Sequence, residues 1–238
     1  MNVSAFYAYQ TAARGLNSLQ DVLLAVRDQS PIYDDLVSEW LPEDKNSRIY
    51  EVACGSGIFL HWLKNLGYKN MEGSDSSEAQ ILLAQAGGLP VKLADSIGEL
   101  RGRAAGSLDC IVGLDFYEHL PKEVFLDFIS ECHRTLAPGG RLILRGPNGD
   151  SPVVGRALFN DITHYWALTT TALTALLQMT GFHKVLFKDD TLASIRYKRW
   201  IKLPFAWLAQ HAYRTLIRLA TRENIRVLSS SMFFCAWK

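Results

Sequence analysis

The 238-residue chain lacks paired cysteines: its four (Cys54, Cys110, Cys132, Cys235) lie far apart, with no CxxC and no His at metal spacing. A disulfide framework and a zinc knuckle are both excluded on that pattern, and a reducing, cytoplasmic compartment is the expectation. No uncharged apolar run reaches the roughly 18 residues a membrane-spanning helix requires. Residues 1–20 show no basic stretch leading into an apolar one, so no signal peptide is expected. Repeats and low-complexity segments are missing too. Acid is scarce at one end. Residues 191–238 carry 9 Lys/Arg and only Glu223, net +8, whereas residues 1–190 carry 16 Lys/Arg and 23 Asp/Glu, net −7. The overall +1 therefore hides an acidic body with a basic tail region, which is suited to an anionic partner. Nucleic acid is disfavoured, because the acidic body repels phosphates.

What is present is an alternation of short apolar runs and helical patterns from residue 48 onward, the signature of βα units. Strands are predicted at Arg48–Val52, Asn70–Gly73, Val91–Ala94, Leu108–Leu114, Arg141–Arg145, Phe182–Phe187 and Met232–Trp237. Helices fit Ile58–Leu66, Ser77–Ala86, Lys122–Leu136 and Thr169–Gly181. Ala137-Pro138-Gly139-Gly140 stops the third of these, since proline lacks a donor and glycine supplies the turn. Thr11–Trp40 reads as one or two helices, with Pro31 separating them.

The strongest local signal is Ile49-Tyr50-Glu51-Val52-Ala53-Cys54-Gly55-Ser56-Gly57-Ile58, a strand running through a glycine turn into a helix. Such a turn lets backbone approach a ligand. Alone, the motif is equally an ordinary βα turn. Asp75 and Asp95 close the next two strands, so that with Glu51 three acids stand at three successive strand ends, the edge where open α/β sheets bind ligands. A carboxylate there can accept from ribose hydroxyls or an adenine amino group, although a lone strand-end Asp also serves as a cap. The position of a third dinucleotide-loop glycine is Leu60, which disfavours a dehydrogenase, and Gly-Lys-Ser/Thr is absent. Glu51 suits a cationic amino group better than a pyrophosphate.

In order along the chain, Glu51-Val-Ala-Cys-Gly55-Ser-Gly57, Glu72-Gly-Ser-Asp75, Leu93-Ala-Asp95, Glu118-His119-Leu120 and Leu136-Ala-Pro-Gly-Gly140 resemble the motifs of class I S-adenosylmethionine-dependent methyltransferases, over roughly residues 45–190. The resemblance implies a Rossmann-like, three-layer α/β/α fold with a seven-stranded, mostly parallel sheet and an antiparallel last strand. It divides the single domain into an N-terminal helical cap (1–44), a core (45–187), a basic amphipathic insertion (188–231) and the last strand (232–238). It also implies S-adenosylmethionine as cofactor, with Glu51, Ala53, Gly55 and Gly57 toward the methionine part, Asp75 and Ser76 toward the ribose, and Asp95 and Ser96 toward the adenine. Asp115, at the end of the fourth strand, faces cofactor or acceptor. Ala53 departs from the family's usual glycine, and a slightly shifted loop is expected.

Arg145–Pro152 and Phe159–Tyr165 leave the sheet near the transferred methyl. Their Asp161-x-Thr163-His164 element resembles methyltransferases of polysaccharide and lipopolysaccharide assembly, which implies a hydroxyl or phosphate of a saccharide or lipid-linked saccharide as acceptor. An amphipathic acceptor such as a quinone precursor is the alternative, and a non-catalytic cofactor-binding module is a third. A hydroxyl acceptor must lose a proton, for which His119 and His164 are candidates. Asp161 could orient His164 or bind a sugar. No metal is expected. Within residues 196–226, Ile201, Phe205, Leu208, Ala212, Leu216 and Leu219 follow helical spacing, and Arg214, Arg218 and Arg222 line up at i, i+4. That segment suits an anionic membrane surface, or else packs its apolar face on the domain.

Overall fold

A computed structural model describes residues 15–190, 202–222, 225 and 227–238. In chain order the elements are α1 (Leu19–Leu36), β1 (Ile49–Val52), α2 (Ile58–Asn65), β2 (Met71–Asp75), α3 (Glu78–Ala86), β3 (Val91–Leu93), α4 (Ser96–Arg101), β4 (Leu108–Leu114), α5 (Lys122–Thr135), β5 (Leu136–Pro147), α6 (Val154–Phe159), α7 (Thr170–Thr180), β6 (Lys184–Asp189), α8 (Leu203–Thr221) and β7 (Ser231–Trp237). Short 3₁₀ turns occupy Ser38–Trp40 and Tyr117–His119.

The seven strands form one sheet in the order β3-β2-β1-β4-β5-β7-β6. β1 to β5 run parallel, and β7 is antiparallel to both of its neighbours, β5 and β6. Side chains alternate between the faces of a strand. Ile49, Cys110, Val112, Ile143 and Phe233 therefore join the core shared with α1 and α2. Tyr50, Val52, Ile111, Leu142 and Phe234 join the core shared with α4, α5 and α7. This is the expected three-layer architecture.

Four details differ from the sequence expectation. Pro31 does not separate two helices but lies inside α1. Buried residues on both sides of it (Val22 and Val26, then Ile32, Tyr33 and Leu36) belong to one continuous apolar face. The Tyr33 ring packs on Phe59 at 5.2 Å and Trp62 at 5.3 Å. Tertiary packing holds the helix through a residue that lacks an amide donor, and the Ser30 hydroxyl donates to the Val26 carbonyl beside it (2.7 Å). Secondly, α5 stops at Thr135, because Leu136 already pairs with Leu108; the Ala137–Gly140 turn is then looped out as the register shifts. Thirdly, β2 runs on to Asp75, two residues past its expected end. Fourthly, α4 and α6, each six residues, were too short for periodicity to reveal.

The insertion after β6 contains α8, and Ile201 of the expected apolar pattern lies outside the described residues. The chain returning from it is firmly held. Asn148 Nδ2 donates to the Val227 and Ser229 carbonyls (3.0 and 2.9 Å), Ser151 Oγ donates to Leu228 O (2.7 Å), and Asp189 accepts from the Leu228 amide (3.0 Å). No helix among the described residues is long and apolar enough to cross a membrane.

Candidate active site

The C-terminal ends of β1, β2, β4 and β5 open into one cavity of about 710 Å³. Its first wall is the turn after β1. Gly57 has φ +79, and a Cβ there would sit 2.3 Å from Leu89 Cδ1 and 3.2 Å from Ala84 Cβ, so glycine lets the turn pack this close to α3 and the connection that follows it. Ala53 adopts φ +49, the left-handed region that usually calls for glycine. The loop accommodates it by hydrogen bonding: the Ala53 amide donates to Ser96 Oγ (3.0 Å), and the Gly55 amide to Asp75 Oδ2 (2.9 Å).

Glu51 and Asp75 both line the cavity. Glu51 is buried, and its Oε2 has no hydrogen-bond partner. Burial, and then the Asp75 carboxylate, hold the Glu51 carboxyl well above its ordinary 4.5. Asp75 is raised as well, by burial, although the amides of Ser77 and Gly55 donate to it and pull it back. A buried carboxylate with an unused oxygen, next to a second acid, is a site for a cationic or hydroxyl-bearing ligand. Ser76 and Asp115 also line the cavity. Asp115, at φ +54, is ion-paired with Arg145, which also binds Asp190 (2.8 Å).

Two expected cofactor contacts stand apart from the cavity lining. Asp95 caps α4, its carboxylate accepting from the Ile97 and Gly98 amides (3.3 and 3.0 Å). Ser96 is buried between Ala53 and Ser74, with its hydroxyl 2.8 Å from Ser74 Oγ. Ser96 acts on the cavity through the loop it braces at Ala53, while Asp95 fixes the start of α4.

The opposite wall gathers residues more than forty positions apart in the chain, Glu118 and His119 with Asp161 and His164. His164 Nδ1 lies 3.1 Å from the carbonyl oxygens of both Ala157 and Leu158. Carbonyls only accept, so Nδ1 carries the proton and Nε2 of the neutral ring carries the lone pair. That Nε2 is 4.0 Å from Glu118 Oε1 and 4.0 Å from Asp161 Oδ2. Asp161 acts mainly on the other imidazole: it accepts from Thr163 Oγ1 (2.6 Å), and Thr163 Oγ1 is 2.8 Å from His119 Nδ1. The hydroxyl proton points to Asp161, so His119 also has its proton on Nδ1. The two rings meet edge to face at 4.6 Å.

Glu118, absent from the sequence-derived site, is buried with Oε2 unpartnered; burial first, then Asp115, hold it well above the usual carboxylate range. Its place immediately before His119 was the available signal. Glu118, His119 and His164 bring one ligand atom each within 4.8 Å of one another, a set able to hold a divalent cation. Sequence spacing gave no sign of this set, because α5, β5 and α6 intervene.

Comparison with known proteins decides the family. A family described as a methyltransferase domain matches residues 26–186. The chain belongs to that family. The matched stretch, residues 26–186, is a methyltransferase domain. The methyltransferase is 33% identical over 100 residues to a ubiquinone biosynthesis O-methyltransferase of Nitrosococcus oceani, covering 40% of this chain and 41% of that one. It is 30% identical over 145 residues to a probable S-adenosylmethionine-dependent methyltransferase of Mycolicibacterium smegmatis, covering 60% and 53%. The matches thus span about half the length of these relatives. A crystal structure of an S-adenosylmethionine-dependent methyltransferase from Archaeoglobus fulgidus superimposes with a TM-score of 0.66 at 20% identity, covering 98% of this chain and 99% of that one. That likeness establishes the shared fold.

Proposed function

We propose that the methyltransferase methylates a hydroxyl of an amphipathic small molecule of the quinone-precursor kind. The observation carrying this reading is His164, whose proton-bearing Nδ1 faces two carbonyls, leaving Nε2 to take a proton beside Glu118 and Asp161. The relatives named as ubiquinone O-methyltransferases point to the same acceptor class.

When bound, S-adenosylmethionine would supply a methyl carbon on a positively charged sulfur, the carbon–sulfur bond breaking as the neutral thioether leaves. Glu51, whose carboxyl burial and Asp75 hold above its ordinary range, would pair with the cofactor's amino group, and its orphaned Oε2 fits that role. Asp75 and Ser76 take the ribose hydroxyls, and Asp115 faces the junction between cofactor and acceptor. Ser96 contributes by bracing the loop at Ala53, and Asp95 by capping the helix that carries Ser96. The acceptor hydroxyl lies against the His119 and His164 wall. As its oxygen bonds to the methyl carbon, its proton passes to His164 Nε2, which lies 4.0 Å from both Glu118 Oε1 and Asp161 Oδ2. His119, held through Thr163 by Asp161, orients the hydroxyl.

A saccharide acceptor is the second reading, favoured by the placement of Asp161 and His164 on the cavity wall, where a carboxylate can hold sugar hydroxyls. Transfer of labelled methyl to a panel of prenylated catechols and lipid-linked glycans separates the two. Methylation of the phenolic hydroxyls is expected; transfer to glycans alone would refute the first reading and establish the second.

A further inference from the structure

α8 is amphipathic, yet none of its 19 residues is buried. At 100° per residue, Phe205, Leu208, Ala212, Leu216 and Leu219 fall on one stripe. Their large side chains are open to solvent, at 73% for Phe205, 60% for Leu208, 63% for Leu216 and 79% for Leu219. The half-buried positions, Leu203, Ala206, Gln210, Arg214 and Ile217, lie on the other side of the helix. The helix therefore turns its narrow side to the protein and its apolar stripe outward, the reverse of the packing alternative raised by the sequence. A contiguous exposed apolar face marks an interaction site.

Charge identifies the occupant. From Lys202 to Arg222 the chain has no Asp or Glu, and Lys202, Arg218 and Arg222 are all exposed. Two copies of α8 packed stripe to stripe would cover the apolar residues but leave the exposed cations of both helices with no acid on either to pair them. An anionic lipid surface answers both features, with acyl chains for the stripe and headgroups for the cations. We propose that α8 docks the methyltransferase onto an anionic membrane surface.

Docking there presents the cavity to the lipid. The segment returning from α8 is pinned by Asn148 and Ser151, and its last residue, Ser230, lines the cavity together with Ser231. The segment carrying Asp161 and His164 likewise exposes Phe159, Ile162 and Tyr165, at 82%, 84% and 65%. An amphipathic acceptor could pass from bilayer to cavity without crossing water. Docking itself is independent of which acceptor is methylated.

Flotation of the full chain with vesicles of phosphatidylcholine alone, or containing about 30% phosphatidylglycerol, tests the proposal without measuring turnover. Binding to the anionic vesicles only, weakened by salt, is expected. Partitioning should fall by at least about tenfold in F205E/L216E/L219E, and by about 25-fold in R218Q/R222Q, at roughly fivefold per cation. Circular dichroism and cofactor affinity should not change, since these side chains bury nothing in the body. Absence of wild-type binding to anionic vesicles would overturn the proposal, as would undiminished binding by the triple glutamate variant. A wild-type dimer that this variant converts to monomer, with no vesicle binding by either, would overturn it in favour of a self-interface.

Discussion

Replacing Glu51 by glutamine should move stability and cofactor affinity in opposite directions. The side chain keeps its shape and loses only the capacity to ionise. In the ligand-free protein, burial and the neighbouring Asp75 hold Glu51 above 4.5, so its neutral form is the one the fold prefers. The sign follows from linkage. A carboxyl raised on folding contributes stability that is complete below its unfolded value, near 4.5, and is lost as pH rises through the folded value. Glutamine removes that loss. The ligand-free variant should therefore gain on the wild type as pH rises, by at most about 1.4 kcal/mol per pH unit. Cofactor binding should respond in the other sense. A hydrogen bond between charged groups contributes about 1.5–3 kcal/mol, so E51Q should raise the Kd for S-adenosylmethionine by about 10- to 150-fold. Wild-type affinity should also climb between about pH 5 and 7.5, below the range where an α-amino group loses its proton. The variant should lack that part of the slope; Asp75, present in both, leaves the difference to Glu51. Thermal denaturation across pH and calorimetric titration measure both quantities. Equal affinities, or parallel affinity–pH curves, would refute the placement of the cofactor's amino group at Glu51.

Ala53→Gly should stabilise the protein by up to about 1 kcal/mol, because relief of a left-handed alanine outweighs the added chain entropy; thermal denaturation that shows a loss would remove strain from the account of this loop. His164→Gln should lower kcat by about 10²- to 10⁴-fold while leaving the Kd for S-adenosylmethionine within about twofold, as expected of a group that touches acceptor and not cofactor. A matching loss of cofactor affinity would take away its role as base. Exhaustive chelation should leave turnover unchanged if His164 takes the proton directly. Activity lost to the chelator and restored by a divalent cation would reassign Glu118, His119 and His164 to a metal.

The βα alternation, the glycine turn and the acids at strand ends are local features, and each was legible because it depends on a few consecutive residues. Period-2 and period-3.6 patterns identify strands and helices from their own side chains. The acidic body, the basic tail region and the amphipathic stripe of α8 were equally plain, being sums over the chain. The tertiary structure decided everything that depends on non-local competition. Pro31 could have ended a helix, and packing of its flanks against Phe59 and Trp62 carried the helix through. Asp95 caps α4 through the Ile97 and Gly98 amides, a partnership that a strand-end position alone did not reveal. The assembly of Glu118 and His119 with Asp161 and His164 needed β4, β5 and α6 to converge on one edge of the sheet. Which way α8 faces was invisible to periodicity, since a helical stripe looks the same whether it turns inward to a core or outward to a partner; only the burial of its neighbours distinguishes the two.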